Sequence, residues 1–179
     1  MENKKSLKRN IFEWVRDIGL ACLLALLILS LFKPIIIQQH SMEPNFYGGD
    51  YVITFKQAYL FGDPSHGDIV VFHSELKDDK GNDKNLIKRI IAMGGDTVEI
   101  IDGYVYVNGE EIDEPYLLEQ GVSGDMAEMT IPEGKLFCCG DNRGVSVDSR
   151  DPSVGLVDED ALVGKVVLRL FPFNKIQTF

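Results

Sequence analysis

Leu86-Ile87-Lys88-Arg89-Ile90-Ile91-Ala92-Met93 reads as a β-strand. Aliphatic and β-branched residues fill it, and the turn-forming Gly94-Gly95-Asp96 closes it before a helix could develop. Strand alternation places Lys88 on one face with Leu86, Ile90 and Ala92, and Arg89 on the other with Ile87, Ile91 and Met93. A lysine in such company has two readings. On an edge strand it discourages pairing with another chain. Inside a core, burial lowers the pKa of its ammonium, by up to ~3–5 units at the extreme. A neutral amine near pH 7–8 can then take a proton from a hydroxyl.

Runs of the same character recur on both sides: Ile35–Gln39, Tyr51–Lys56, Asp68–His73, Thr97–Ile101, Tyr104–Val107, Lys135–Cys139 and Lys165–Phe171. Gly-Asp pairs such as Gly49-Asp50, Gly67-Asp68 and Gly140-Asp141 punctuate them. Asp102-Gly103 between two alternating runs predicts a tight hairpin, and Asn108-Gly109 a second turn. Ser74–Asn85 reads as a charged loop, and Glu114–Gly134 as a longer excursion with room for its own hairpin. The expected fold is mostly β, built on antiparallel sheet, without internal repeats.

One segment breaks this pattern. Ile18 to Phe32 carries no charge and is dominated by Leu, Ile and Ala. It is short against the ~20 residues that span hydrocarbon, but Trp14 and Val15 extend it on one side, Ile35–Ile37 on the other, and Lys33 can snorkel. The basic Lys4, Lys5, Lys8 and Arg9 precede it, which holds the N-terminus in the cytoplasm. The expected organisation is a cytoplasmic N-terminus over 1–13, a single transmembrane anchor over 14–34 in the cell membrane, and an extracytoplasmic domain over 35–179. A cleaved leader would need a small-x-small site after Phe32, and none follows. A buried core helix is the other reading of so short a run.

The 179-residue chain has a net charge of −10, enough length for one domain plus an anchor. Residues 1–33 hold six basic and three acidic side chains, so thirteen net negative charges fall after Lys33. Such a domain is repelled by phosphate backbones, which excludes nucleic acid as a partner. Cys138 and Cys139 are adjacent and point to opposite faces of a strand, while Cys22 lies in the apolar run. No pair closes a loop and no spacing indicates a metal.

Two polar stretches complete the candidate chemistry. In Gln39-His40-Ser41-Met42-Glu43-Pro44-Asn45, a serine follows the extended run after the anchor, and Pro44 forces a turn. Gly140-Asp141-Asn142-Arg143-Gly144-Val145-Ser146-Val147-Asp148-Ser149-Arg150 follows an apolar strand, and its alternation groups Ser146, Asp148 and Arg150. A nucleophilic serine needs a base. His40, His66 and His73 are the imidazole candidates and Lys88 the amine; a Ser-His-Asp arrangement stays open at this level.

Together these stretches resemble bacterial type I signal peptidase, in the compact form usual in Gram-positive bacteria. The likeness runs in order from the anchor through Ser41–Asn45, Gly67–Phe72, Lys88–Asp96 and Gly140–Arg150. It implies a membrane-bound monomer with a β catalytic domain and a Ser/Lys dyad, free of metal and organic cofactor. Its partners would be the lipid bilayer and exported preproteins, whose signal peptides it removes after a small-x-small sequence such as Ala-x-Ala. By position, the resemblance makes Ser41 the nucleophile and Lys88 the general base. Ser146 would hold the amine, with Arg89, Asp141, Asp148 and Arg150 bracing the site. Ile37, Met42 and Ile87 would line the substrate pockets, and the Ser41 N–H with Gln39 would face the oxyanion. Two positions depart from the pattern: Asn45 stands where the family often has Thr, and Gln39 where a small residue is common. The rival readings are a catalytically weak relative that binds signal peptides or assists surface assembly, a self-cleaving repressor-type protein, and an unrelated tethered module. The first would be marked by loss of Ser41 or Lys88, and the second by a DNA-binding region in place of the anchor.

Overall fold

The computed structural model describes residues 2–60, 62–77, 80–122 and 124–179. Among these, helix α1 (Glu2–Leu31) is followed by strands β1 (Phe32–Ile36), β2 (Tyr51–Phe55), β3 (Ile69–Lys77), β4 (Asp83–Met93), β5 (Thr97–Ile101), β6 (Tyr104–Val107), β7 (Glu110–Glu111), β8 (Met126–Thr130), β9 (Lys135–Cys139), β10 (Val157–Asp158), β11 (Leu162–Phe171) and β12 (Gln177–Thr178). They form a large sheet in the order β1-β2-β11-β3-β4-β9-β10, with β12 on β11, and a smaller one in the order β7-β6-β5-β8. Every pairing is antiparallel.

The large sheet is covered on both faces, which explains why Ile69-Val70-Val71-Phe72 is apolar without alternation. Val70 and Phe72 pack with Leu86, Ile90, Leu136 and Cys138, whereas Ile69 and Val71 pack with Ile37, Met42, Phe46 and Val52. The small sheet closes over Ile91, Ala92, Phe137 and Cys139. Cys138 and Cys139 thus do face opposite ways. Both expected hairpin turns form: Asp102 and Asn108 take φ of 50° and 54°, each followed by a glycine at positive φ.

The structure differs from the sequence expectations in four places. The first strand lies at Phe32–Ile36 instead of Ile35–Gln39, and it begins where α1 ends. Pro34 is accommodated because β1 is an edge strand, paired only with β2, so its missing N–H leaves no ladder gap. Ser74–Asn85 is no loop but the far end of the β3–β4 hairpin, with His73 opposite Asn85 and Ser74 opposite Lys84; Asp78 and Asp79 lie outside the described residues. Glu114–Gly134 holds no hairpin of its own among the described residues, which exclude Ser123; its strand β8 pairs with β5. A register shift between Ile90 and Ala92 marks a bulge in β4. Ala92 therefore leaves the Lys88 face for the core under the small sheet, and Met93 takes its place beside Leu86 and Ile90.

Helix α1 stands apart from this core. Its stretch Ile11–Leu31 is 21 residues long with mean hydropathy 2.0, and none of it is buried. At ~1.5 Å per residue this matches the ~30 Å of a hydrocarbon core.

Candidate active site

The nucleophile candidate sits where β1 runs out. One further pair of backbone bonds carries the ladder past β1: Ile37 N–H donates to Asp50 (2.9 Å) and Gly49 N–H to Ile37 (2.8 Å). The chain then leaves the sheet and turns, with Phe46 N–H donating to the Met42 carbonyl at 2.9 Å. Because the strand stops before Gln39, alternation does not fix the direction of that side chain relative to Ser41. Ser41 is buried, and its Oγ lies 2.7 Å from Nζ of Lys88 in a hydrogen bond. Lys88 is only 1% exposed. Burial pushes its pKa down to about 8; Arg150 adds to this, and the Asp148 carboxylate opposes it.

The three histidines lie elsewhere. His40 Nδ1 pairs with Glu43 Oε1 at 2.7 Å, His66 Nε2 with Asp96 Oδ2 at 2.7 Å, and His73 is exposed on β3. Among the described residues the only side-chain partner of Ser41 Oγ is the amine.

The loop after β9 clamps this pair. Asn142 N–H donates to the Ser41 carbonyl (3.0 Å) and Asn142 Nδ2 to the His40 carbonyl (3.2 Å). Gly140 lies so close to Ser41 that a Cβ there would overlap the Ser41 carbonyl oxygen and the Ser146 side chain. Its N–H donates to Asp148 at 2.9 Å and its carbonyl accepts from Arg143 Nε at 3.1 Å. Asp148 is fully buried, and burial alone would raise its pKa. Hydrogen bonds from Arg150 Nε (2.8 Å) and Nη2 (2.7 Å), with the guanidinium charge, hold it below the usual carboxylate value instead. Ser146 Oγ helps stabilise that carboxylate but is buried without a hydrogen bond of normal geometry, and none reaches Lys88.

Arg89, on the strand position after Lys88, ties the site to the loop after β9 and to the segment between β7 and β8. Its Nε and Nη2 reach the two oxygens of buried Asp141 at 2.8 and 2.7 Å. The departure at position 45 now has a physical content: Asn45 Nδ2 donates both to Asp141 Oδ2 (2.8 Å) and to the Tyr116 carbonyl (2.7 Å). The Arg89 guanidinium lies 4.0 Å from the centre of the Tyr116 ring, and Tyr116 OH donates to Glu114 at 2.8 Å. Glu114 in turn makes a buried two-point ion pair with Arg143. Sequence reasoning assigned no role to Asn142, Arg143, Glu114 or Tyr116; the Arg143–Glu114 pair joins residues 29 apart, and no local period marks it.

A groove leads to Ser41. Cavities of about 280 and 360 Å³ adjoin through shared walls at Gln38, Gln39, Lys84 and Leu86. Ile37 and Ile87 line the first, and Ser41 the second. Met42, expected beside them, is fully buried in the core beneath, against Ile37 and Val71. Gln39 is exposed at the junction of the two cavities.

A model of the family "Signal peptidase, peptidase S26" matches residues 11–171. The chain belongs to this family. It is 39% identical to signal peptidase I of Bacillus licheniformis, with 98% of this chain and 97% of the relative covered. It is 35% identical to signal peptidase IB of Staphylococcus aureus, covering 96% and 95%. A crystal structure of a signal peptidase I from Enterococcus faecalis, 30% identical, aligns with TM-score 0.49 over 58% of this chain and 97% of that one. The chain is thus a peptidase of the signal peptidase type, and its one long apolar helix fits membrane anchoring.

Proposed function

We propose that this signal peptidase is a membrane-bound serine endopeptidase that removes N-terminal signal peptides from exported preproteins after a small-x-small site, with Ser41 as nucleophile and Lys88 as general base. The observation that carries the reading is the 2.7 Å contact between Ser41 Oγ and a buried lysine amine. Neutral Lys88 takes the hydroxyl proton as Oγ attacks the scissile carbonyl. The resulting ammonium gives that proton to the leaving amine, and the free amine then activates water to hydrolyse the acyl-enzyme. Ser146 Oγ, with hydrogen-bonding capacity unspent beside the dyad, is the group that orients the amine. Arg89, Asp141, Asp148 and Arg150 hold the two loops together and keep a fixed charge pattern around a base that must lose its own.

Before Arg89, the edge of β4 turned away from β3 has no partner strand among the described residues. An extended peptide fits between that edge and Ile35–Gln39, hydrogen-bonding as an added strand. Ile37 and Ile87 narrow the space for side chains next to the cleaved bond, which favours Ala and other small residues. The basic N-terminus stays in the cytoplasm and the domain works on the far side, where signal peptides end.

The test uses the purified full chain and a precursor whose signal peptide ends in Ala-x-Ala. A single new N-terminus directly after that sequence, read by mass spectrometry, supports the proposal; cleavage elsewhere or none overturns it. The rate should also report the base. With a pKa of about 8, Lys88 is charged and idle below that value and neutral above it. kcat/KM is therefore expected to rise tenfold per pH unit on the acid side and level off above pH ~8. A limb near pH 6.5 would assign the base to an imidazole instead.

Among the described residues the Ser41 N–H donates to no acceptor, and it is one candidate donor to the oxyanion. The Gln39 amide, at the rim of the same cavity, is the second. Gln39→Ala is expected to lower kcat by ~10²-fold with KM little changed, the loss typical of one such donor. An unchanged kcat would leave the backbone as sole donor.

A further inference from the structure

Lys84 stands two residues before Leu86 and four before Lys88 on the same strand, so the three side chains project to one side of β4. It lines both cavities of the groove and is partly buried there. Among the described residues it has no ion pair and no side-chain hydrogen bond. The neighbouring Asp83 is engaged by Lys77, and the other walls at this point include Leu76, Leu86, Val145 and Val147. A cation has thus given up part of its water in the groove without an internal partner, in a domain that is otherwise strongly acidic.

Strand order tells which part of a substrate meets it. Going from β1 through β2, β11 and β3 to β4 takes four antiparallel steps, so β4 runs in the same direction as β1. Ile35→Gln39 and Lys84→Lys88 both lead away from the end of α1 and towards Ser41. At ~3.3 Å per residue, Lys84 lies ~13 Å back from Lys88 towards the helix end. A signal peptide that emerges from the membrane side runs along this edge in the same direction as β4, and with its cleaved bond at Ser41 it places about its fourth or fifth residue before that bond beside the ammonium.

Resting on the groove assignment above, we propose that Lys84 is a specificity-determining residue: it favours a carboxylate side chain about four or five residues before the cleaved bond and disfavours a basic one there. The contact is partly solvated, so it acts by attraction and repulsion over a few ångströms, and salt weakens it.

The test takes the full chain in neutral detergent with peptides carrying Asp, Asn or Lys in turn at the third to seventh positions before an Ala-x-Ala cleavage site. The readout is the ratio of kcat/KM for Asp over Lys at each position, within each enzyme. The expected ratio in the unaltered chain is ~10 at the fourth or fifth position and near 1 elsewhere, falling at high salt. It should drop to near 1 in Lys84→Met and invert in Lys84→Glu. Equal ratios in all three enzymes, or none different from 1, overturn the proposal. So does a loss of activity in Lys84→Glu that is the same for every peptide and appears only in vesicles containing anionic phospholipid, which would assign the lysine to the lipid surface. Failure of the parent reading looks different, because then no peptide is cut after Ala-x-Ala.

Discussion

Ser41→Ala, Lys88→Ala and the double variant are expected to lower kcat/KM by the same factor, ~10⁴ or more, because the two residues act as one unit. The reason is geometric. Among the described residues the Ser41 hydroxyl has a single side-chain partner, and that partner is buried at 2.7 Å with its pKa lowered to about 8, so that a neutral amine becomes available as the pH rises to that value. Removing the amine leaves a hydroxyl with a base nowhere in reach, since His40 is turned to Glu43 and His66 to Asp96. Lys88→Arg should be as inactive as Lys88→Ala, because a guanidinium stays protonated and cannot accept a proton. Circular dichroism and thermal melts of the variants separate lost chemistry from lost fold. Effects that multiply in the double variant would mean that each residue works without the other.

Gly140→Ala is expected to lower kcat by ~10²–10³-fold and to reduce thermal stability. The new methyl group would occupy the space of the Ser41 carbonyl oxygen and the Ser146 side chain. Neither neighbour can step aside cheaply. The Ser41 carbonyl is held by Asn142 N–H, and Gly140 itself is fixed by Asp148 and Arg143 on its two sides. Relief therefore comes from moving Ser41, the proposed nucleophile, and a displacement of about 1 Å is enough for a ~10²-fold loss. Gly144→Ala is the matched control: nothing lies within 4 Å of a Cβ at that position, so both kcat and stability should stay near their starting values. A fully active Gly140→Ala would mean the loop is softer than its hydrogen bonds imply.

The parts of this site that could be read in the sequence are those written in local periodicity. Periodicity placed Lys88 among alternating aliphatic residues and left a buried and an edge-strand reading open; two of its three expected face-mates, Leu86 and Ile90, share its side of the strand. Ala92 does not, because a bulge is a one-residue slip set by the partner strand β9 and has no mark in β4 itself. The contact between Ser41 and Lys88 spans 47 residues of chain and follows from sheet order, which periodicity does not encode; the resemblance supplied it. Glu114 and Tyr116 lay in a segment that read as a longer excursion with room for a hairpin, and their contacts depend on arginines contributed by β4 and by the loop after β9. Ser74–Asn85 read as a loop because half-buried positions such as Ser74 and Lys84 carry polar side chains, so the alternation of half-buried and exposed positions leaves no hydrophobic period in the sequence.

Helix α1 passes into β1 with no residue between them, and β1 is five residues long. A membrane enzyme built this way has no tether. Ser41, the proposed nucleophile, can then neither swing far across the bilayer surface nor rise much above it, because its height is set by one short strand, ~17 Å when extended, and the five residues that follow it. Substrates are then sorted by where their scissile bond stands along the membrane normal as well as by sequence. Encounter becomes a search in the plane of the lipid, in which a precursor already threaded through the bilayer arrives at the right level, while an identical sequence deep within a folded, released protein never does.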